Sequence, residues 1–268
     1  MRDAQSSPAT LADPVIQMEN VTVPAIDDPL RPLVQGINWS VATSDYWVVG
    51  GRPGGGKTDL LAVAAGLLRP MRGTHRLFGR DLTGLQGDEP LAERLRIGLV
   101  FEDGGRVFNA VSVRENLALP LCYHHNCIAA EVEARVEAIL DATALSAFAD
   151  VPAGRLNRSW RQRTALARAL ALQPEVLLLD NPLAGLDPRQ LQWWIEFLAA
   201  LAAGHPLLER RPVTLVVTTD DLRPWCEQGH RFALINGNGW LLLGGRTELH
   251  RCHEPVLREL LVEPSAVD

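Results

Sequence analysis

The sequence predicts an α/β fold: a mostly parallel sheet flanked by helices, with an antiparallel β part and an inserted helical subdomain. Three observations predict it. Short β-rich runs alternate with helical patterns along the chain. Two of those runs, 175–180 and 213–219, are almost continuously apolar, as strands covered on both faces are. A glycine-rich loop, 51–58, stands between an apolar run and a helical pattern.

The elements follow in order. Residues 1–13 are polar with no apolar centre, and read as a flexible tail rather than a signal peptide. One domain is expected over 14–268. VIQMENVTV (15–23) and LVQGINWSV (33–41) alternate in polarity like paired strands. YWVVG (46–50) feeds the glycine loop, and TDLLAVAAGLL (58–68) reads as a helix that stops before Pro70. RIGLVF (96–101) is a further strand. Helix signals then dominate from about 102 to 165, in AAEVEARVEAILDAT (129–143) above all, and form the inserted subdomain. EVLLLD and VTLVVTT return the chain to the sheet. FALINGNGWLLLG (232–244) is a hairpin with an Asn-Gly turn.

Composition bounds the function. With 47% hydrophobic and 22% charged residues the chain can bury a core. A net charge of -6 without a basic stripe argues against broad nucleic-acid binding. No run approaches the ~20 apolar residues of a membrane span, so any membrane role is peripheral. Cys122, Cys127, Cys226 and Cys252 are scattered rather than framed for disulfides, which points to a reducing compartment. CYHHNC (122–127) gathers two Cys and two His, but at a spacing too tight for all four to converge easily on zinc. Trp193 and Trp194 are expected to pack rather than bind.

Gly51, Arg52, Pro53, Gly54, Gly55, Gly56, Lys57 and Thr58 fit G-x-x-x-x-G-K-[ST] at every fixed place. Glycines let backbone N–H groups curl round a phosphate, and the following helix N-terminus adds partial positive charge. Lys57 can then reach the β/γ oxygens of a nucleotide, and the Thr58 hydroxyl can ligate Mg²⁺. Asp180, closing VLLLD, is the natural acidic partner for that metal; its simpler role is a strand-end cap. The core is thus predicted to be a P-loop NTPase holding ATP and Mg²⁺.

Beyond that loop, RQRTALARALALQPEVLLLDNPLAGLD (161–187), VSVRENLALPL (111–121) and VTLVVTTDDL (213–222) resemble segments of the nucleotide-binding subunit of ABC transporters. The resemblance runs over about residues 14–262, in order and spacing. It implies a subunit on the cytoplasmic side of a membrane, peripheral to a membrane-spanning transporter subunit. It also implies a dimer, with itself or a related nucleotide-binding subunit, that sandwiches ATP. The helical insert would touch the membrane partner. LVFEDGGRVFNAVSVRENLALPL further resembles the corresponding region of Mce-type lipid-trafficking importers.

The chain departs from the family where the chemistry lies. The family follows its Walker B Asp with a Glu that polarises the attacking water; here Asp180 is followed by Asn181. An amide can orient water but cannot usefully accept its proton, a loss of ~10²–10⁴-fold in rate. The switch histidine is replaced by Thr219, which brings a hydroxyl but no imidazole. The Q-loop glutamine is replaced by Glu102, a hard oxygen donor and so a third candidate for Mg²⁺. Glu102 reads either as a solvated loop residue or as a partial substitute for the carboxylate missing at 181. The signature Leu-Ser-Gly-Gly-Gln aligns with Leu156, Asn157, Arg158, Ser159 and Trp160, which puts side chains where the family brings backbone to the partner's phosphate. Arg158 either pairs with phosphate or belongs to a rearranged surface. No aromatic stands near 23–27 to stack on adenine. Asp187 keeps the D-loop. Three functions follow for weighing: an ATPase subunit with weak hydrolysis of its own, a non-hydrolysing regulatory subunit (a pseudo-ATPase), or another P-loop enzyme such as a kinase. The last leaves RQRTALARAL and AGLD without a role.

Overall fold

The computed structural model describes residues 14–85, 89–124 and 129–261. The expected tail over 1–13 lies outside them, as do His125, Asn126 and Cys127 of the 122–127 stretch. Ten strands form one sheet. They are β1 (Pro14–Pro24), β2 (Pro32–Ala42), β3 (Tyr46–Gly51), β4 (Arg72–Leu77), β5 (Arg80–Asp81), β6 (Ile97–Val100), β7 (Val176–Asp180), β8 (Thr214–Thr219), β9 (Arg231–Asn236) and β10 (Gly239–Gly244). Their spatial order is β5-β4-β1-β2-β10-β9-β3-β8-β7-β6. The half from β9 to β6 is parallel, with β3 between β8 and β9. The β5-β4-β1-β2 end is antiparallel and joins the rest where Gly239 of β10 meets Gln35 of β2.

The apolar runs explain the layers. In β7, Leu177 and Leu179 enter one core while Val176 and Leu178 enter the other. Val48 of β3 and Val217 of β8 join the first; Trp47, Val49 and Val216 join the second. Both faces are covered, which is why these strands carry no polar alternation. One face holds α1 (Lys57–Ala64) and the antiparallel strands; the short α2 (Leu91–Arg94) precedes β6. The other holds α3 (Val113–His124), α4 (Ala129–Ala142), α5 (Arg158–Leu170), α6 (Pro188–Ala203), α7 (Arg246–Arg251) and α8 (Pro255–Leu261). Trp194 is fully buried there, as its place on α6 predicts.

Two details correct the sequence reading. The helix after the glycine loop ends at Ala64, not at 68. Gly66 adopts φ 69, and the N–H groups of Leu67 and Leu68 turn back to the Ala62 carbonyl at 2.9 and 3.0 Å. A left-handed glycine thus stops the helix before Pro70 is reached. The hairpin turn is Gly237-Asn238, one residue beyond the Asn-Gly pair, with Gly237 at φ 57 and Asn236 still in β9.

Candidate nucleotide site

The glycine loop leaves the end of β3 and opens α1, with Gly54 and Gly56 at φ 72 and 91. Lys57 is 7% exposed and donates from Nζ to the carbonyls of Gly51, at 2.7 Å, and Arg52, at 3.0 Å. Burial lowers its pKa, opposed by Asp220, Asp180 and Glu102, so the ammonium faces a mostly acidic neighbourhood. Thr58 Oγ1 donates to Asp180 Oδ2 at 2.6 Å. Asp180 is 3% exposed, and its Oδ1 accepts from Thr218 Oγ1 at 2.8 Å. Residues 122 positions apart are therefore brought into contact, because β3 and β7 flank the same strand β8. Thr218 was not singled out by sequence; a hydroxyl closing an otherwise apolar buried run was its only signal. The Arg52 side chain pairs bidentately with Glu259 of α8 at 2.7 and 2.9 Å.

Asn181 continues directly from Asp180. It is 5% exposed, with φ 44, and its N–H donates to Thr218 O at 2.9 Å. Its Nδ2 reaches Glu102 Oε1 at 3.4 Å. Glu102 sits on a single 3-10 turn (102–104) after β6, and Arg158 Nη2 reaches the same Oε1 at 3.3 Å. Desolvation, with Asp103 and Asp180, raises the Glu102 pKa above its ordinary value; Arg158 opposes this. The turn is seated by Gly104. This residue has φ 66, and a methyl group there would lie 2.6 Å from the Arg161 backbone in α5. Only glycine allows so close an approach.

The signature-position residues turn onto their own chain. Arg158 also pairs through Nε with Asp103, and its guanidinium lies against Gly185 of the 184–187 loop. Asn157 caps α5, accepting from Trp160 N at 3.1 Å and from Ser159 Oγ at 2.9 Å. Trp160 packs against Phe148 at a tilt of 43°, with ring centroids 4.6 Å apart, and Arg163 is held between Trp160 and Trp193. Asp187 caps α6 through the N–H groups of Arg189 and Gln190. Thr219 exchanges two hydrogen bonds with the Asp221 backbone, at 2.8 and 3.1 Å. Sequence did not single out Asp103, Asp220 or Gly185 as neighbours of the site. Where an adenine-stacking aromatic is missing, Ile26 is 46% exposed and its N–H donates to Asp59 of α1 at 2.7 Å. Among the described residues no group of three or more His, Cys, Asp or Glu side chains gathers around a metal position.

A glycine loop on a parallel strand, a buried lysine, and a hydroxyl–carboxylate pair at the next strands' ends define a P-loop NTPase. Comparison with known proteins places it further. The family model described as "ABC transporter" matches residues 34–184. A protein of Caldanaerobacter subterraneus subsp. tengcongensis, whose name describes it as ABC transporter ATP-binding protein TTE0246, is 30% identical over 84% of this chain and 88% of its own. The sulfate/thiosulfate import ATP-binding protein CysA of Mycolicibacterium paratuberculosis is 33% identical over 80% of this chain. That match spans 56% of CysA, a little over half its length. The ATP-binding cassette MJ0796, solved as a dimer with ADP and Pi, superposes with a TM-score of 0.75 at 24% identity. It covers 86% of this chain and 99% of its own. The chain belongs to the ABC transporter ATP-binding family.

Proposed function

We propose that this chain binds ATP with Mg²⁺ as a nucleotide-binding subunit of an ABC-type membrane transporter, and hydrolyses it slowly with its own residues. The observation that carries the binding is the Thr58–Asp180 contact beside buried Lys57. The hydroxyl and carboxylate oxygens are hard donors of the kind Mg²⁺ takes. They would hold the metal with the nucleotide, and the ion would neutralise phosphate charge there. Lys57 would exchange its two carbonyl partners for phosphate oxygens, a stronger charge-assisted bond.

Slow hydrolysis rests on the other positions. Asn181 has no carboxylate to accept a proton, and the Thr219 hydroxyl is engaged by Asp221. These engaged groups also favour the second reading, a non-hydrolysing subunit that uses ATP only to gate assembly. Assembly would follow the family: a second nucleotide-binding subunit, identical or related, meeting this one through 157–160 and the 184–187 loop.

The membrane partner would sit on the helical insert, from the cytoplasmic side. A groove of about 370 Å³ lies there between β6, α3 and α5, lined by Ile97, Leu99, Phe101 and Pro120. Phe108, Leu119 and Tyr123 are exposed around it, at 50, 42 and 82%. No helix of the described residues is long and apolar enough to cross a membrane itself. By analogy with the sulfate/thiosulfate import protein CysA the cargo would be a small solute; by the Mce-like segment at 99–121 it would be a lipid. Calorimetry of ATP-Mg²⁺ binding tests the core of the reading. Tight binding by the wild type that Lys57→Ala weakens supports it, and equal affinities refute it.

A further inference from the structure

We infer that the carboxylate that activates water in this site is Glu102, moved from the strand end at Asn181 to the turn after β6. The inference rests on the ATP-binding reading above and concerns the hydrolysis that this chain performs.

The sequence carries an exchange of chemistry. The strand-end position holds an amide and the turn position holds an acid, where the family has the acid at the strand end and the amide on the turn. The structure brings the exchanged pair together, Asn181 Nδ2 to Glu102 Oε1 at 3.4 Å. Asn181 is fixed: it is buried, its N–H is bonded to Thr218, and it adjoins the Asp180 that grips Thr58. Its amide therefore holds Glu102 beside the phosphate half of the site. Glu102 is fixed from the other side as well. Arg158 binds the same Oε1, and Gly104 seats the turn on α5. Both side-chain contacts fall on Oε1, so Oε2 accepts no hydrogen bond among the described residues. The side chain is 43% exposed, open enough to meet water. A held carboxylate with one oxygen available is the arrangement a base needs.

Two of the other acids nearby are committed by their contacts. Asp180 is committed to Thr58 and Thr218. Asp103 is paired with Arg158. Asp220 acts on Lys57 and Glu102 through its charge. A loop glutamate with no role would point to solvent, whereas this one is gripped by an amide and a guanidinium.

In the step itself the water oxygen forms its bond to the γ-phosphorus. The bond from that phosphorus to the bridging oxygen breaks, and its electron pair leaves with ADP. The water proton passes to Glu102 Oε2 and then to solvent. Arg158 and Asn181 act as positioning residues.

The test measures ATP turnover and ATP-Mg²⁺ affinity of the full chain, the latter by calorimetry. The variants are Glu102→Gln, Asn181→Glu and both together, with Lys57→Ala as background. Glu102→Gln is expected to lower turnover ~10²-fold or to background while affinity stays within about threefold. The double variant returns a carboxylate beside an amide and is expected to regain about tenfold or more over Glu102→Gln. Wild-type turnover in Glu102→Gln would overturn the inference, as would a loss of affinity equal to its loss of turnover. A wild type that binds ATP-Mg²⁺ but turns over no faster than Lys57→Ala would overturn it and leave the binding reading intact. A wild type that does not bind ATP-Mg²⁺ would overturn both.

Discussion

Around Thr58 and Asp180, side chains from the start of α1 and the ends of β7 and β8 contact one another, with Asp180 and Thr218 almost entirely buried. Around Arg158, the turn, α5 and the 184–187 loop also meet, but through ion pairs about half exposed to water. The first group is fixed by the sheet, since β3, β8 and β7 lie side by side. The second is fixed by charges on the chain's own surface, at the place where the family meets its partner. The difference teaches that the proposed binding and turnover groups rest on supports of unequal burial. The first tolerates few changes; the second can be altered without unmaking the fold.

Lys57→Ala strikes the buried half and has the largest expected effect. Losing the ammonium should weaken ATP-Mg²⁺ binding by about 10²-fold, from one or two charge-assisted bonds. Calorimetry checks it, and unchanged affinity would end the comparison, since the buried half would then not be the phosphate site.

Trp160→Gln probes whether the signature segment has become part of the core. It removes the tilted ring contact with Phe148 and the face that Arg163 covers. A cost of about 2 kcal/mol is expected, some 4–8 °C in Tm, read by thermal unfolding. No shift would show that this segment is surface only.

Arg158→Ala removes two ion pairs whose side chains are 40–56% exposed. Screening limits them to about 1 kcal/mol at most, so Tm should fall by less than about 4 °C. Turnover should change several-fold, because Glu102 loses its positioning partner. A large fall in Tm with unchanged turnover would make Arg158 a structural pin.

Thr219→Ala should do least. The hydroxyl faces the Asp221 backbone, so ATP affinity should change by less than about twofold. A larger loss, measured by the same calorimetry, would mean that Thr219 leaves Asp221 when nucleotide binds.

The buried half was legible in the sequence because its parts are local signals. A glycine loop at fixed spacing names its own lysine and threonine, and an apolar run closing in Asp180 names itself. The strands and the main helices were legible through apolar pattern. The end of α1 was not, because Ala65 and the two leucines after it are good helix formers and only Gly66 breaks the pattern. The second half was legible as a set of departures but not as an arrangement. Nothing in the spacing of Glu102, Arg158 and Asn181 says that the three converge. Their meeting depends on Gly104 fitting against α5, which is a property of close approach rather than of sequence period. Residues 1–13 and 125–127 lie outside the described residues, so the expected tail and half of the CYHHNC cluster have no counterpart here.

The place of β3 in the sheet has a consequence for the order of events during synthesis. Its two neighbours are β8 and β9, which begin at Thr214 and Arg231. The loop that follows β3 is made early, but the strand that carries it has no partner until most of the chain exists. At ~5–20 residues per second this delay lasts on the order of ten to forty seconds. Over that interval an almost wholly apolar strand, YWVVGG, waits with both edges open, and such long-range pairing is slow to form. A nascent chain halted before Thr214 would therefore carry every residue of the glycine loop and still have no phosphate site.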